Sequence, residues 1–150
     1  MHEPVGKMMN EEFKTMLICV ESYRERQIIG TLYHASNEEG KPFRNAMQMI
    51  MEIDSILESM SFPKSSLQRR SFARRETEEK KTLNFQPNVS NYKERRGELA
   101  TFKLRVTFKQ NASWQGILTW VESETAEAFR SLLEMLMLMD SALYIKEKDT

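Results

Sequence analysis

The sequence predicts an α+β domain made of two copies of a strand–turn–strand–helix (ββα) unit joined by a long basic linker. Three observations predict it. Residues 18–57 lie over 104–143 without a gap when the chain is slid against itself by 86 residues. The same order of hydrophobic periodicities occurs in both segments. Between them, residues 61–97 hold no period at all.

Eleven of the 40 aligned pairs are identical, among them Val20/Val106, Gly30/Gly116, Phe43/Phe129, Arg44/Arg130, Met49/Met135, Asp54/Asp140 and Leu57/Leu143. Unrelated segments of ordinary composition would share roughly 3, so an internal repeat is the better account. In the second copy, Phe102, Leu104, Val106 and Phe108 alternate with Lys103, Arg105 and Thr107, the period of a half-buried strand. Gln110-Asn111-Ala112-Ser113 is a turn cluster. Ile117–Val121 is rich in β-branched and aromatic residues and predicts the return strand. Ser123 and Thr125 are N-cap candidates for a helix running to about Leu143. In the first copy, the strands are Met16–Tyr23 and Ile28–Ala35 about the turn Arg24-Glu25-Arg26. Gly40-Lys41-Pro42 starts a helix, with proline in its first turn, and that helix ends near Met60, before Pro63.

The expected domain is the single span 1–150, with units at 13–60 and 98–145 and the linker at 61–97. The two hairpins join into one antiparallel sheet of at least four strands. Both helices cover one face of it, and a pseudo-twofold axis relates the copies. Pairing of sheets or helices between two chains is the competing arrangement.

Composition excludes several functions. With one cysteine, Cys19, and two histidines, His2 and His34, there is neither a disulfide nor a zinc-finger spacing. No metal or cofactor is expected. The N-terminus lacks the apolar core of a signal peptide, and no stretch approaches the roughly 18 apolar residues of a membrane span. A cytoplasmic protein is the expectation. Twenty-two basic residues balance 22 acidic ones, but unevenly. The linker holds ten basic and four acidic residues, leaving twelve basic and eighteen acidic for the rest. A basic linker of net +6 thus faces an acidic body of net −6. The plainer reading is a solvated charge run lying against that body. The sharper one is an anion site: Arg69, Arg70, Arg74 and Arg75 surround Phe72, with forks that suit phosphate and a ring that suits a base.

The Arg70–Arg74 spacing, with Asn111-Ala112-Ser113-Trp114-Gln115-Gly116, resembles the two-part signature of PilZ-type cyclic-di-GMP receptors, an RxxxR loop followed by (D/N)xSxxG. The resemblance implies that Arg70 and Arg74 grip an anionic nucleotide while Asn111, Ser113 and Gly116 form the polar turn against it. That family is a six-stranded barrel, which two hairpins each followed by a long helix would not build. Gly116 is also accounted for by its partner Gly30, as a bulge or close backbone approach.

Asp54 and Asp140 fall within the apolar arcs of their helices. Such carboxylates need donors, and the simple account is hydrogen bonding within each unit. No histidine or nucleophile stands at a useful spacing, so no catalytic residue is assigned. By alternation Trp114 and Trp120 share a face, unless a bulge at Gly116 changes the register, and they read as core. On the second helix, Met137 and Leu138 fall outside the main apolar arc and are candidate interface residues of a homodimer.

The strings NASWQG, Phe129–Glu134 and Leu138–Leu143 resemble a family of short, uncharacterised proteins from anaerobic Gram-positive bacteria. That likeness implies a bacterial cytoplasm and the bounds of the second unit, and no mechanism. The leading expectation is a non-enzymatic interaction or regulatory module that binds a protein partner or a second copy. The alternative is a receptor for an anionic nucleotide such as cyclic-di-GMP. A second alternative is salt-dependent binding of single-stranded nucleic acid by the linker.

Overall fold

The computed structural model describes residues 14–60, 92–110 and 113–149. In chain order the elements are β1 (Thr15–Arg24), β2 (Gln27–His34), β3 (Asn37–Phe43), α1 (Ala46–Ser59), β4 (Ala100–Gln110), β5 (Ser113–Trp120), β6 (Thr125–Phe129) and α2 (Leu132–Asp149). Short 3-10 turns occupy Tyr92–Glu94 and Val121–Ser123. The six strands form one open antiparallel sheet in the order β3-β2-β1-β4-β5-β6. The α+β class is therefore as expected, and the sheet is not a barrel.

Each helix follows three strands rather than the two expected. Gly40-Lys41-Pro42 does not open a helix; it lies in the edge strand β3, where Pro42 pairs with Thr31. Proline is tolerated there because an edge strand has one side free of ladder bonds. Likewise Ser123 ends a 3-10 turn and Thr125 opens a strand, β6, rather than a helix. The helices start later, at two matching caps. Asn45 Oδ1 accepts the Gln48 amide at 2.7 Å, and Gln48 Oε1 reaches back to the Arg44 amide at 2.9 Å. Ser131 Oγ accepts the Glu134 amide at 3.1 Å, and Glu134 Oε1 takes the Arg130 amide at 2.7 Å. Both are variants of the capping box, in which the cap and the third helical residue satisfy otherwise orphaned donors.

The core forms on the face bearing the even-numbered residues of β1, β2, β4 and β5. Met16, Ile18, Val20, Ile28, Leu32, Phe102, Leu104, Val106, Trp114 and Leu118 meet Met49, Ile53 and Leu57 of α1 and Met135, Met139 and Leu143 of α2 in one buried cluster. Phe43 and Phe129 end the edge strands with buried rings. The half-buried Trp120 packs against the same cluster. Leu17 and Cys19 alternate with these residues and are buried too. Beside them, the stretch 92–99 lies close to β1: the Leu99 amide donates to the Val20 carbonyl at 2.9 Å, and the Gly97 amide to Thr101 Oγ1 at 2.9 Å. Tyr92 is buried and Arg95 stacks over the Tyr33 ring. The remainder of the expected linker, residues 61–91, lies outside the described residues.

Two bulges stand at matching places. The β1–β2 register shifts between Val20 and Ser22, and the β4–β5 register between Val106 and Phe108. Gly30 and Gly116 pair with Val20 and Val106 at these points. A Cβ on Gly30 would lie 2.1 Å from the Cys19 carbonyl oxygen, and one on Gly116 2.0 Å from that of Arg105. Neither backbone carbonyl can yield without breaking its ladder. Gly30→Ala and Gly116→Ala are each expected to destabilise the fold by about 1–3 kcal/mol, seen as a lower urea midpoint at unchanged slope. Ser131→Ala removes a cap and should cost about 1 kcal/mol in the same measurement.

Candidate functional site

A cleft of about 250 Å³ opens between the two helices, beside the β1–β2 hairpin. Its walls are Ile28, Ala46, Met49, Leu136, Met137, Met139 and Leu143, and its polar groups are Tyr23, Arg26 and Asp140. The site follows from local structure. Tyr23 is the last residue but one of β1 and Arg26 occupies the tight turn to β2. Asp140 lies one helical turn from Leu136 and Leu143, so the apolar arc of α2 carries it to the same place.

The Tyr23 hydroxyl donates to Asp140 Oδ1. Arg26 donates to the same carboxylate through Nε at 3.1 Å and Nη2 at 3.5 Å. The Tyr23 hydrogen bond holds the Asp140 carboxyl below its usual range, helped by Arg26 and opposed by partial burial. Burial first, then the Asp140 hydrogen bond and charge, pushes the Tyr23 phenol up to about 12. Neither group changes charge near neutral pH. The trio at that pH is a neutral phenol, a carboxylate and a guanidinium, equipped to hold and to bind rather than to exchange protons.

Asp54 has a corresponding partner. Lys109 Nζ lies 3.4 Å from Asp54 Oδ1 and 3.4 Å from Glu58 Oε2. The expectation that each aspartate is held by its own ββα unit is thus corrected. Tyr23 and Arg26 of the first hairpin hold Asp140 of α2, and Lys109 of the second hairpin meets Asp54 of α1. Each helix lies mainly over the strands of its own half and reaches the other half's hairpin through its aspartate.

The other candidates are scattered. Arg69, Arg70, Arg74, Arg75 and Asn111 lie outside the described residues. Ser113 is exposed at the start of β5, where its backbone pairs with Gln110. Trp114 is buried in the core and Gly116 sits at the bulge. Met137 is 61% exposed, while Leu138 packs partly against the core. Cys19 is buried, and its thiol is pushed up to about 11 by that burial and by the Glu21 charge, which leaves it protonated and poorly nucleophilic at neutral pH. Among the described residues no cluster of three histidine, cysteine or acidic side chains is placed to hold a metal ion, and no helix is long and apolar enough to cross a membrane.

The sequence passed over Tyr23, Arg26 and Ile28 as parts of a strand and a turn. The sequence carried no signal for them: Glu25 and Arg26 adopt positive φ, 53° and 61°, in a two-residue hairpin turn that usually takes Asn-Gly, and charged residues in that place read only as a solvated turn.

Comparison with protein-family models, curated proteins and solved structures finds no match to this chain.

Tyr23 binds its proton more tightly in the fold than in the unfolded chain. Its contribution is therefore whole below pH 10.0 and is lost as pH rises to about 12. The lowered Asp140 acts in the opposite sense: its contribution is present above the ordinary carboxylate range and lost as pH falls through its folded value. Tyr23→Phe is expected to cost about 1–2 kcal/mol at pH 7 and to flatten the alkaline limb of stability against pH, followed by chemical denaturation at pH 8 to 12.

Proposed function

We propose that this protein is a non-enzymatic interaction module that works as a homodimer, docking through the outer faces of its two helices. The observation that carries the reading is a set of exposed apolar side chains on those faces. Met47 is 73% exposed and Leu133 65%; Met51 and Met137 lie one turn beyond them. Tyr144 and Ile145 extend the surface along α2. Exposed apolar side chains gathered on helix faces in this way favour a binding surface, and methionine adapts readily to a partner.

The same residues support the view that the domain is an internal duplication about a pseudo-twofold axis. Met47 and Leu133 are 86 residues apart, as are Met51 and Met137. In the β1–β4 ladder Leu17 faces Lys103, also 86 residues on, with Thr15↔Arg105 and Cys19↔Thr101 on either side. Positions 15 and 19 of one copy thus meet positions 19 and 15 of the other, as a twofold requires. The exchanged partners of Asp54 and Asp140 obey the same rule. A surface repeated about such an axis suits a second copy, because a twofold dimer joins like patch to like patch. The setting of this reading is the bacterial cytoplasm.

Light scattering after size exclusion should give twice the 17.7 kDa of the chain. Met47→Glu with Leu133→Glu should return a folded monomer, since both side chains are exposed and outside the buried core and the cleft. A wild-type mass of 17.7 kDa throughout the micromolar range would sink the proposal.

A further inference from the structure

The cleft beside Tyr23, Arg26 and Asp140 has walls and a mouth of different chemistry, and the side chains that line it beside the first hairpin are smaller than their counterparts in the second half. Ile28 pairs with Tyr23 across β1–β2, as Trp114 pairs with Lys109 across β4–β5. Where the second half carries an indole buried to 2% exposure, the first carries an isoleucine. Likewise Ala46 opens α1 where Leu132 opens α2. Two larger side chains in one half thus stand against two smaller ones in the other, and the smaller pair lines the cleft.

The mouth is also specialised. Arg26 is held at φ 61°, a left-handed conformation that costs a side-chain-bearing residue energy that glycine escapes. That turn places its guanidinium over Asp140. Nε and one edge of Nη2 face the carboxylate, while the side chain remains 76% exposed. An arginine has five N–H donors in a fixed fork, so the outward edge stays free to receive an anion. Asp140 is already served by three donors, and a cationic guest would face Arg26.

We propose that this cleft binds a small amphipathic carboxylate, with its apolar chain between α1 and α2 and its acid group on the outward edge of Arg26. A space of 250 Å³, at about 30 Å³ per water-sized group, holds roughly eight non-hydrogen atoms, a smaller guest than the roughly 300–1,000 Å³ of drug-sized pockets admits. Methionine and leucine walls give such a chain a deformable apolar lining. The comparison of the two halves rests on the proposed duplication, whereas the cleft and its charged mouth do not.

The test is titration of the full-length protein with octanoate, octanol and octylamine, followed by methionine methyl NMR shifts. Octanoate should move Met49 and Met139 saturably and bind tighter than the other two. Arg26→Ala should weaken it about tenfold with the fold intact, since the side chain is exposed. Ile28→Trp, which gives the first half the indole of the second, should abolish binding. Ala46→Leu gives a second filling variant if Ile28→Trp fails to fold. Absence of saturable shifts with octanoate overturns the proposal. So does equal binding of all three head groups, or binding unchanged by the filling variants. These readouts are independent of the molecular mass that tests the dimer.

Discussion

The pairing of β1 with β4 is the constraint on which the rest of the structure depends. It runs from Thr15↔Arg105 to Val20↔Ala100 and joins hairpins about 80 residues apart in sequence. Without it, each half is a three-stranded sheet with one helix, and the core loses its middle. Met16, Ile18 and Val20 on one strand and Phe102 and Leu104 on the other are all buried against one another and the helices. Leu17 and Cys19 are buried as well, so β1 is apolar on both faces. That is the pattern of a central strand, and it explains why Met16–Val20 reads as a continuous apolar run.

The helices reinforce that ladder in a crossed manner. Asp140 of α2 is tied to Tyr23 and Arg26 of the first hairpin, and Asp54 of α1 to Lys109 of the second. Lys109 and Asp54 are both mostly buried from solvent, which makes their pairing worth more than a surface ion pair. The cleft lined by Met49 and Leu136 lies beside one of these crossed contacts, that of Tyr23 and Arg26 with Asp140.

Much of the fold was legible in the sequence. The alternation of Phe102, Leu104, Val106 and Phe108 located β4, and the sequence match at an offset of 86 residues pointed to β1. The edge strands were not legible. Asn37-Glu38-Glu39-Gly40-Lys41-Pro42 has the composition of a loop, and Ala126-Glu127-Ala128 that of a helix. They are strands because β2 and β5 offer free ladder groups and because Phe43 and Phe129 anchor their ends in the core, so tertiary context overrides local preference. The caps were legible but passed over: Asn45-x-x-Gln48 and Ser131-x-x-Glu134 carry the signature of a helix start. The candidate site was legible only as an aspartate in an apolar arc that needed donors. Nothing in the spacing of Asp140 says which hairpin lies beneath it, and the space beside Ile28 depends on how far apart two helices rest.

The separation of β1 from β4 has a consequence for biosynthesis. β1 leaves the ribosome about 80 residues ahead of the strand that covers it. At roughly 5–20 residues per second, its edge therefore waits about 4–16 s. Met16-Leu17-Ile18-Cys19-Val20 has the uncharged, β-prone character that recruits foreign strands. The nascent chain is most vulnerable in that interval, with β2 on one flank and the other open. Slowed translation between the two halves would lengthen the exposure while leaving the finished protein unchanged.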